Sequence, residues 1–595
     1  SCMKVKYDEN DDISTLSNFM LDLDDTRRHA NILLECEIDR DKLVRDQPEP
    51  GKKRKKFFEN TLSSYLNTKI YAFDDYGHDA EAHGAYYLQE RNQLQEKRPE
   101  ELKRLLHFQV IHARRNVASS EESGRSSNPL GSISTQFLKR KNSARDKQGL
   151  TENDKDEALK KIDELLENTD TRLDGEYSEV FGKFLQNASK FLNLRELKVI
   201  SNLQSQTLIE NSSKIVFGVD ENKLPENHNG LGYLNILYLL LTMEMVKEEF
   251  EARQATLNFL IIEEPEAHTH PQMQYVFASQ VRELIDEIPR LQAVVTTHSS
   301  HIVSKSEFED IRYLAKAANQ TNVEIKNFHT ELSRKFTALH GGEEGALLFK
   351  FLSQYLSIQS SELFFADKAI FIEGTTERIL LPLLLSKHDS GPVGEAPLSS
   401  QNISVLEVGA NAKAFAPFLE FLGIRGLVIT DIDTTVKVQK DKKAIWQAAP
   451  VAKGTNTSNA TLKFFFDAPE KPEDSGLPLW VKKLKLHELK ILPALRNLHV
   501  AYQSEEDGYH ARSFEDAFIA LNLKEIAARK EKLKGLKNKH KIDAVGDIDF
   551  YKLTNDVIDK KSDFASSILF EALANGQSWH VPSYILEGLK WLHKK

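Results

Sequence analysis

The sequence predicts an α/β protein of two or three domains, and three observations carry that prediction. Short apolar runs of strand length recur at 257–262, 293–297, 369–372 and 427–429. Each run ends on or just before a carboxylate or a histidine, the place where open α/β sheets present groups to ligands. At 595 residues the chain exceeds a typical single core, while 40% apolar and 28% charged residues are the composition of a globular protein.

Taken in chain order, "NILLECEID" sets Leu34, Cys36 and Ile38 against Glu35 and Glu37, the alternation of a half-buried strand. The basic run "GKKRKKFF" from Gly51 is read as a solvated loop, and the Ser-, Asn-, Gly- and Arg-rich stretch 118–149 as a loop or disordered crossing. From Thr151 the pattern turns helical: "TEND" can form a capping box, and Leu159, Ile162, Leu165 and Leu166 follow helical spacing. "NHNGLGYLNILYLLL" then places Asn229, Gly230 and Gly232 ahead of an apolar helix, where glycine amides can approach a phosphate. The run 257–262 delivers Glu263 and Glu264 before a proline. The first suits the water shell of Mg²⁺, and the second suits polarising an attacking water. Thirty residues on, "LQAVVTTHSSHIV" delivers His298 at the end of a β-branched strand.

The second half repeats the design with more acid. "FIEGTTER" puts Glu373 at a strand end and Glu377 on the first turn of the next helix, and "GLVITDIDTT" adds Asp431 and Asp433, whose alternate spacing would point both to one side of an extended chain. Four carboxylates at two strand ends suit a hard cation that keeps some of its waters.

Together, "AIFIEGTTER", "VLEVGANAKAF" and "LVITDIDTT" resemble a TOPRIM domain, the metal-dependent phosphoryl-transfer module, over roughly residues 362–500. The glycine loop, Glu-Glu strand and histidine strand resemble the signature loop, Walker B and switch histidine of ABC-type ATPases, with Glu263 where an aspartate is usual. The two in series resemble the OLD (overcoming lysogenization defect) nuclease family, which includes the Gabija nuclease subunit and retron-associated effectors. "YHARSFEDAFI", with Glu515 and Asp516, resembles that family's late acidic motif, and "DKKSDFA" its lysine motif, with Lys561 preferred to Lys560.

The resemblance implies an ABC-type ATPase head over 1–345 with a helical dimerisation insertion at 150–202, a TOPRIM Rossmann-like α/β domain over 362–520, and a helical C-terminal region, 521–595, that completes the nuclease site. It implies an ATP-regulated, divalent-metal-dependent DNA endonuclease acting in anti-phage defence. Two Mg²⁺ or Mn²⁺ ions would be held by Glu373, Asp431 and Asp433 with Glu377, Glu515 and Asp516, and Lys561 would offset transition-state charge. ATP with Mg²⁺ would be served by Glu263, Glu264 as base, His298, Asn229, Gly230 and Gly232. Expected partners are duplex DNA, a second copy of the chain, and a further defence-system protein or retron nucleic acid. A non-cleaving RecF-type DNA clamp and a TOPRIM toxin cutting tRNA or other RNA remain open on these residues.

Other signals bound the reading. The net charge of −10 leaves only local basic runs for phosphate, among them "WVKKLKLHELK" and "RKEKLKGLKNKHK". With two cysteines, Cys2 and Cys36, and no signal-peptide or membrane-span pattern, a cytoplasmic protein is expected. No Gly-x-x-x-x-Gly-Lys-Ser/Thr loop occurs, so the chain is expected either to lack an upstream P-loop segment or to carry a degenerate ATP site.

Overall fold

The computed structural model describes residues 2–21, 28–48, 61–73, 94–113, 230–253, 256–288, 290–316, 322–391, 396–440, 443–469, 476–543 and 548–594, with a few short pieces between them. The expected helical insertion at 150–202 lies almost wholly outside these residues, as do Asn229, the stretch 118–149 and most of the basic run at Gly51. The chain divides into two compact units, Ser1–Ser299 and Ser300–Lys595.

The first unit holds two larger sheets and a short two-stranded ribbon, Val216–Phe217 with Leu224–Pro225. An antiparallel sheet takes β1 (Cys2–Lys6), β2 (His29–Ile38), β3 (Leu66–Phe73) and β4 (Gln95–Lys97) in that order. The strand predicted around Leu34 is therefore present, but its expected face is not. Cys36 and Ile38 are exposed, and the buried residues are Ala30, Ile32 and Leu33 nearer its start, where Leu16, Phe19 and Leu105 supply the apolar cover. A parallel sheet places β6 (Leu257–Glu263) centrally between β5 (Leu106–Ile111) and β7 (Leu291–Thr296). Central position explains the continuous apolar run of β6, since such a strand has no edge open to water. Helix α1 (Leu231–Arg253) precedes β6, and α2 (Pro271–Asp286) connects β6 to β7.

The second unit opens with an antiparallel pair, β8 (Arg312–Lys316) with β9 (Val323–Asn327), and is built on a four-stranded parallel sheet, order β11–β10–β12–β15, from β10 (Lys368–Ile372), β11 (Ile403–Glu407), β12 (Arg425–Ile429) and β15 (Leu498–Ala501). Successive side chains alternate faces. Ala369, Phe371 and Val428 enter one core, with Phe418 and Leu419 of α4 (Ala416–Leu422). Ile370, Ile372, Leu427 and Ile429 enter the other, against α3 (Thr375–Asp389), α6 (Lys561–Asn575) and α7 (Ser583–His593). The chain runs from β10 to β11 on one side and then to β12 on the other, so the carboxyl ends of β10 and β12 border a topological switch point. Between β12 and β15 lies an exposed hairpin, β13 (Thr434–Lys440) with β14 (Lys443–Ala448). Among the described residues, no helix is long and apolar enough to cross a membrane.

Candidate metal centre and nucleotide site

At the switch point the strand ends deliver the predicted acids to one place. Glu373 follows β10 directly, and its Oε2 accepts from the Asp431 amide at 3.0 Å and the Thr430 hydroxyl at 2.8 Å, so the two strand ends are hydrogen-bonded to each other. Glu377, on the first turn of α3, is buried. Glu515 enters from α5 (Phe514–Leu521). Its Oε1 accepts from the Thr376 hydroxyl at 3.0 Å and its Oε2 from Lys561 Nζ at 2.9 Å. Lys561 rather than Lys560 is thus the lysine that reaches the acids.

The electrostatics report crowding. Burial pushes the Glu377 carboxyl up to about 7, and the charges of Glu515 and Glu373 add to it. Burial also raises Asp431 well above the ordinary carboxylate range, with Glu377, Glu515, Glu373 and Asp433 all contributing. Lys561 is held protonated: burial alone would lower it, but Glu515, Asp431 and Glu377 raise it. Several carboxylates facing one cation leave excess negative charge that a divalent ion fits.

Two of the expected ligands behave differently. Asp433 is not on an extended chain. Its φ is +44°, its Oδ1 pairs with Arg512 Nη2 at 2.8 Å, and the alternation assumed for Asp-x-Asp fails because β12 has already ended at Ile429. Asp516 is committed elsewhere: its carboxylate accepts from the Tyr509 hydroxyl at 2.8 Å, the Arg512 amide at 2.8 Å and the Thr554 hydroxyl at 3.2 Å. One residue further along a helix turns a side chain by about 100°, so Glu515 and Asp516 cannot share a target.

A supporting set escaped the sequence reading. Gln503, two residues beyond β15 and 1% exposed, donates from Nε2 to Asp431 Oδ1 at 2.6 Å and accepts the Ile432 amide at 2.7 Å. Asn459 donates to the Thr430 hydroxyl at 2.6 Å and the Asp431 carbonyl at 2.8 Å, while its own Oδ1 caps the helix Ala460–Phe465. The signal for Gln503 was its place at the end of a fourth parallel strand beside Asp431; the signal for Asn459 was its helix-capping position.

The basic run 529–541 is partly neutralised, mostly by acids outside it. Lys530 pairs with Asp543, Lys537 with Asp559 at 3.8 Å, Lys539 with Glu531 at 3.6 Å and Lys541 with Asp556 at 2.6 Å. Gly535 within it has φ +74°, and a Cβ there would lie 2.7 Å from the Phe564 amide and closer still to the Lys560 carbonyl. Only glycine allows this segment to pack against the turn that presents Lys561.

In the first unit, Glu264 (φ +39°) follows β6 and faces His298, with Nε2 to Oε1 at 3.6 Å. Glu263 Oε2 lies 3.2 Å from both His112 Nδ1 and the Ala113 amide. Glu266, unremarked in the sequence, accepts the His298 amide at 2.6 Å and fixes the histidine loop. Among the described residues nothing stands within 4 Å of a Cβ placed on Gly230, whereas Gly232 lies inside α1, where a Cβ would stand 3.1 Å from the His268 carbonyl. The second glycine thus permits close packing of α1 on the acidic loop. Asn235 of α1 reinforces that contact by donating to the Ala267 carbonyl at 2.6 Å.

Comparison with known proteins agrees with this division. The family model described as AAA ATPase domain matches residues 10–303, and the model described as overcoming lysogenization defect protein-like, TOPRIM domain matches residues 364–433. The chain is 30% identical over 421 residues to Endonuclease GajA of Bacillus cereus, an alignment covering 66% of this chain and 57% of that protein. It is 24% identical over 208 residues to OLD nuclease of Thermus scotoductus, covering 34% of each. The alignments thus span little more than half of the first relative and a third of the second. A crystal structure of Stu0660 of Streptococcus thermophilus aligns with 56% of this chain and 84% of its own, at 9% identity and a TM-score of 0.27, which carries no argument.

Proposed function

The chain belongs to the OLD family, with an AAA ATPase domain followed by an OLD-like TOPRIM domain, and from that premise we propose that it is a divalent-metal-dependent DNA endonuclease regulated by ATP. The observation that carries the reading is the convergence of Glu373, Asp431, Glu377 and Glu515 with Lys561 at the switch point, with Glu377 pushed up to about 7. Glu373 and Asp431, already linked through the Asp431 amide, would hold one metal ion, joined by Asp433 once Arg512 releases it. Glu377 and Glu515 would serve a second. When bound, the ions supply a water of lowered pKa and neutralise charge on the scissile phosphate.

The chain's own groups do the rest. Gln503 and Thr430 fix the rotamers of Asp431 and Glu373, so the ligands are oriented in advance. Lys561 offsets charge at the phosphate, and on doing so it releases Glu515. Arg512, on pairing away from Asp433, becomes a second cation for the nucleic-acid backbone. In the first unit Glu264 and His298 would act on ATP, with a second copy of the chain supplying the remaining contacts. A role in defence against phage is what the resemblance of its sequence motifs to the OLD family implies.

Incubation of the protein with supercoiled plasmid and, separately, with total RNA, each with Mg²⁺ or Mn²⁺, tests the reading. Nicked or linear plasmid that disappears with Glu373→Ala supports it. Intact plasmid with ATP-dependent DNA retention favours a clamp, and degraded RNA with intact plasmid favours an RNA-cutting toxin.

A further inference from the structure

We propose a second metal site, separate from the carboxylate centre, in which His388, Asp389 and His593 bind one Zn²⁺ ion and pin the last helix of the chain to α3. One ligand atom from each of the three residues can be chosen so that all lie within 4.8 Å of one another. His388 and Asp389 end α3, and His593 ends α7, so the cluster joins two helices whose other ends are remote in sequence.

The donor set and its surroundings are those of a metal site. His593 Nε2 faces the Ala396 carbonyl at 3.0 Å, the hydrogen bond by which metal-binding histidines fix their tautomer and turn the other nitrogen toward the ion. Asp389 is held from outside: Oδ1 accepts the Leu398 amide and Oδ2 the Ser399 amide, both at 3.0 Å. His388 Nδ1 and Asp389 Oδ1 are 3.1 Å apart, close to the separation of two ligands on a tetrahedral ion with bonds of about 2.0 Å. Both imidazoles are buried, at 9% and 7% exposure, and their ring centroids are 5.1 Å apart. Two imidazoles and one carboxylate favour Zn²⁺ over Mg²⁺, which prefers all-oxygen surroundings.

The site has a structural purpose that the fold makes visible. The end of α7 is also held by Arg425, which donates to the Trp591 carbonyl at 2.7 Å, and by Lys368, which donates to the His593 carbonyl at 3.3 Å. Near its start, the helix carries Tyr584, whose hydroxyl accepts from Gln503 Nε2 at 3.2 Å. A metal at the far end would therefore hold in register the helix that backs Gln503 and, through it, Asp431.

The proposal does not depend on the nuclease reading, and its test avoids the carboxylate centre. Full-length protein carrying Glu373→Gln and Asp431→Asn is titrated with Co²⁺ and with Zn²⁺ against a chromophoric chelator. The expected result is one tightly bound ion per chain, with the intense visible absorption of four-coordinate cobalt, and a rise in melting temperature with Zn²⁺ that EDTA reverses. Adding His388→Gln and His593→Gln should weaken Zn²⁺ binding at least ~100-fold, since loss of second-shell contacts alone can cost that much. Asp389→Asn, whose single oxygen can still accept from one of the Leu398 and Ser399 amides, gives a smaller loss of Zn²⁺ binding, with a melting curve to check that the chain folds. Absence of the cobalt band in the parent, or equal Zn²⁺ affinity with and without the two histidines, overturns the site and leaves a hydrogen-bonded helix cap.

Discussion

The two strand-end sites use similar residues and differ in enclosure. In the second unit Glu377 and Glu515 are buried and Asp431 is fixed by a buried glutamine. In the first, the Glu264 side chain is 46% exposed and that of His298 82%, and they meet at 3.6 Å. Crowded carboxylates repel one another until one takes up a proton or a cation binds, so the second site, as proposed, is arranged for metal by its own chain. The first leaves both of its side chains open to solvent.

Removing one acid from the enclosed site should have the largest effect. Glu373→Ala or Asp431→Ala should lower metal-dependent cleavage at least ~100-fold, about 3 kcal/mol in barrier, while ATP turnover and thermal stability hold or rise. Plasmid nicking alongside a melting curve checks both halves. Cleavage at the native rate in saturating Mn²⁺ would remove these residues from the metal set.

Glu264→Gln probes the exposed site. It should leave melting unchanged, because an exposed pair contributes at most about 1 kcal/mol, yet slow ATP turnover by roughly 10- to 100-fold in a chain that carries an intact phosphate loop. Turnover equal to the parent would show that enclosure by a partner does not recruit this carboxylate.

Lys561→Ala should cost less than losing a ligand, about 10-fold in cleavage, because it removes a cation while freeing Glu515 to bind metal. DNA affinity measured by fluorescence anisotropy should barely change. A loss confined to affinity would make the lysine a phosphate anchor. Neutralising Lys532 and Lys534 together should weaken DNA binding and flatten its salt dependence, and adding Lys537→Ala should matter little more, given that Lys537 already pairs with Asp559.

How much was legible follows from the same contrast. Glu373, Glu377 and Asp431 could be read because they sit at or next to the ends of short apolar strands, and strand length and apolarity are local properties. Asp433 was misplaced because an extended chain was assumed past Ile429, where the backbone turns left-handed. Cys36 and Ile38 were assigned to the core because alternation shows which residues share a face, but not where the covering layer stops. Gln503, Asn459 and Arg512 were missed because their roles arise from contacts with Asp431 and Asp433, far away in the chain. The neutralisation of the lysine run by Asp543, Asp556 and Asp559 is likewise a tertiary fact.

The pH signature of the enclosed site leaves cleavage aside and reads the crowding itself. Glu377 rises from an ordinary 4.5 to about 7 in the folded protein, so between those values the native state holds a proton that the unfolded chain has lost. Metal-free protein should accordingly be most stable, as regards this group, below pH 4.5, and lose that contribution as pH rises through 7, by on the order of 3 kcal/mol at most. Asp431, also raised, pushes in the same direction. Divalent ions need the ionised carboxylate, so Mg²⁺ binding at pH 6.5 should release a proton, read as a dependence of the calorimetric heat on buffer ionisation enthalpy. Glu377→Gln should abolish most of that release and flatten the stability profile, whereas Glu264→Gln should alter neither. If proton release persists in Glu377→Gln at the parent value, the crowding belongs to Asp431, and Glu377 is a buried neutral acid rather than a ligand.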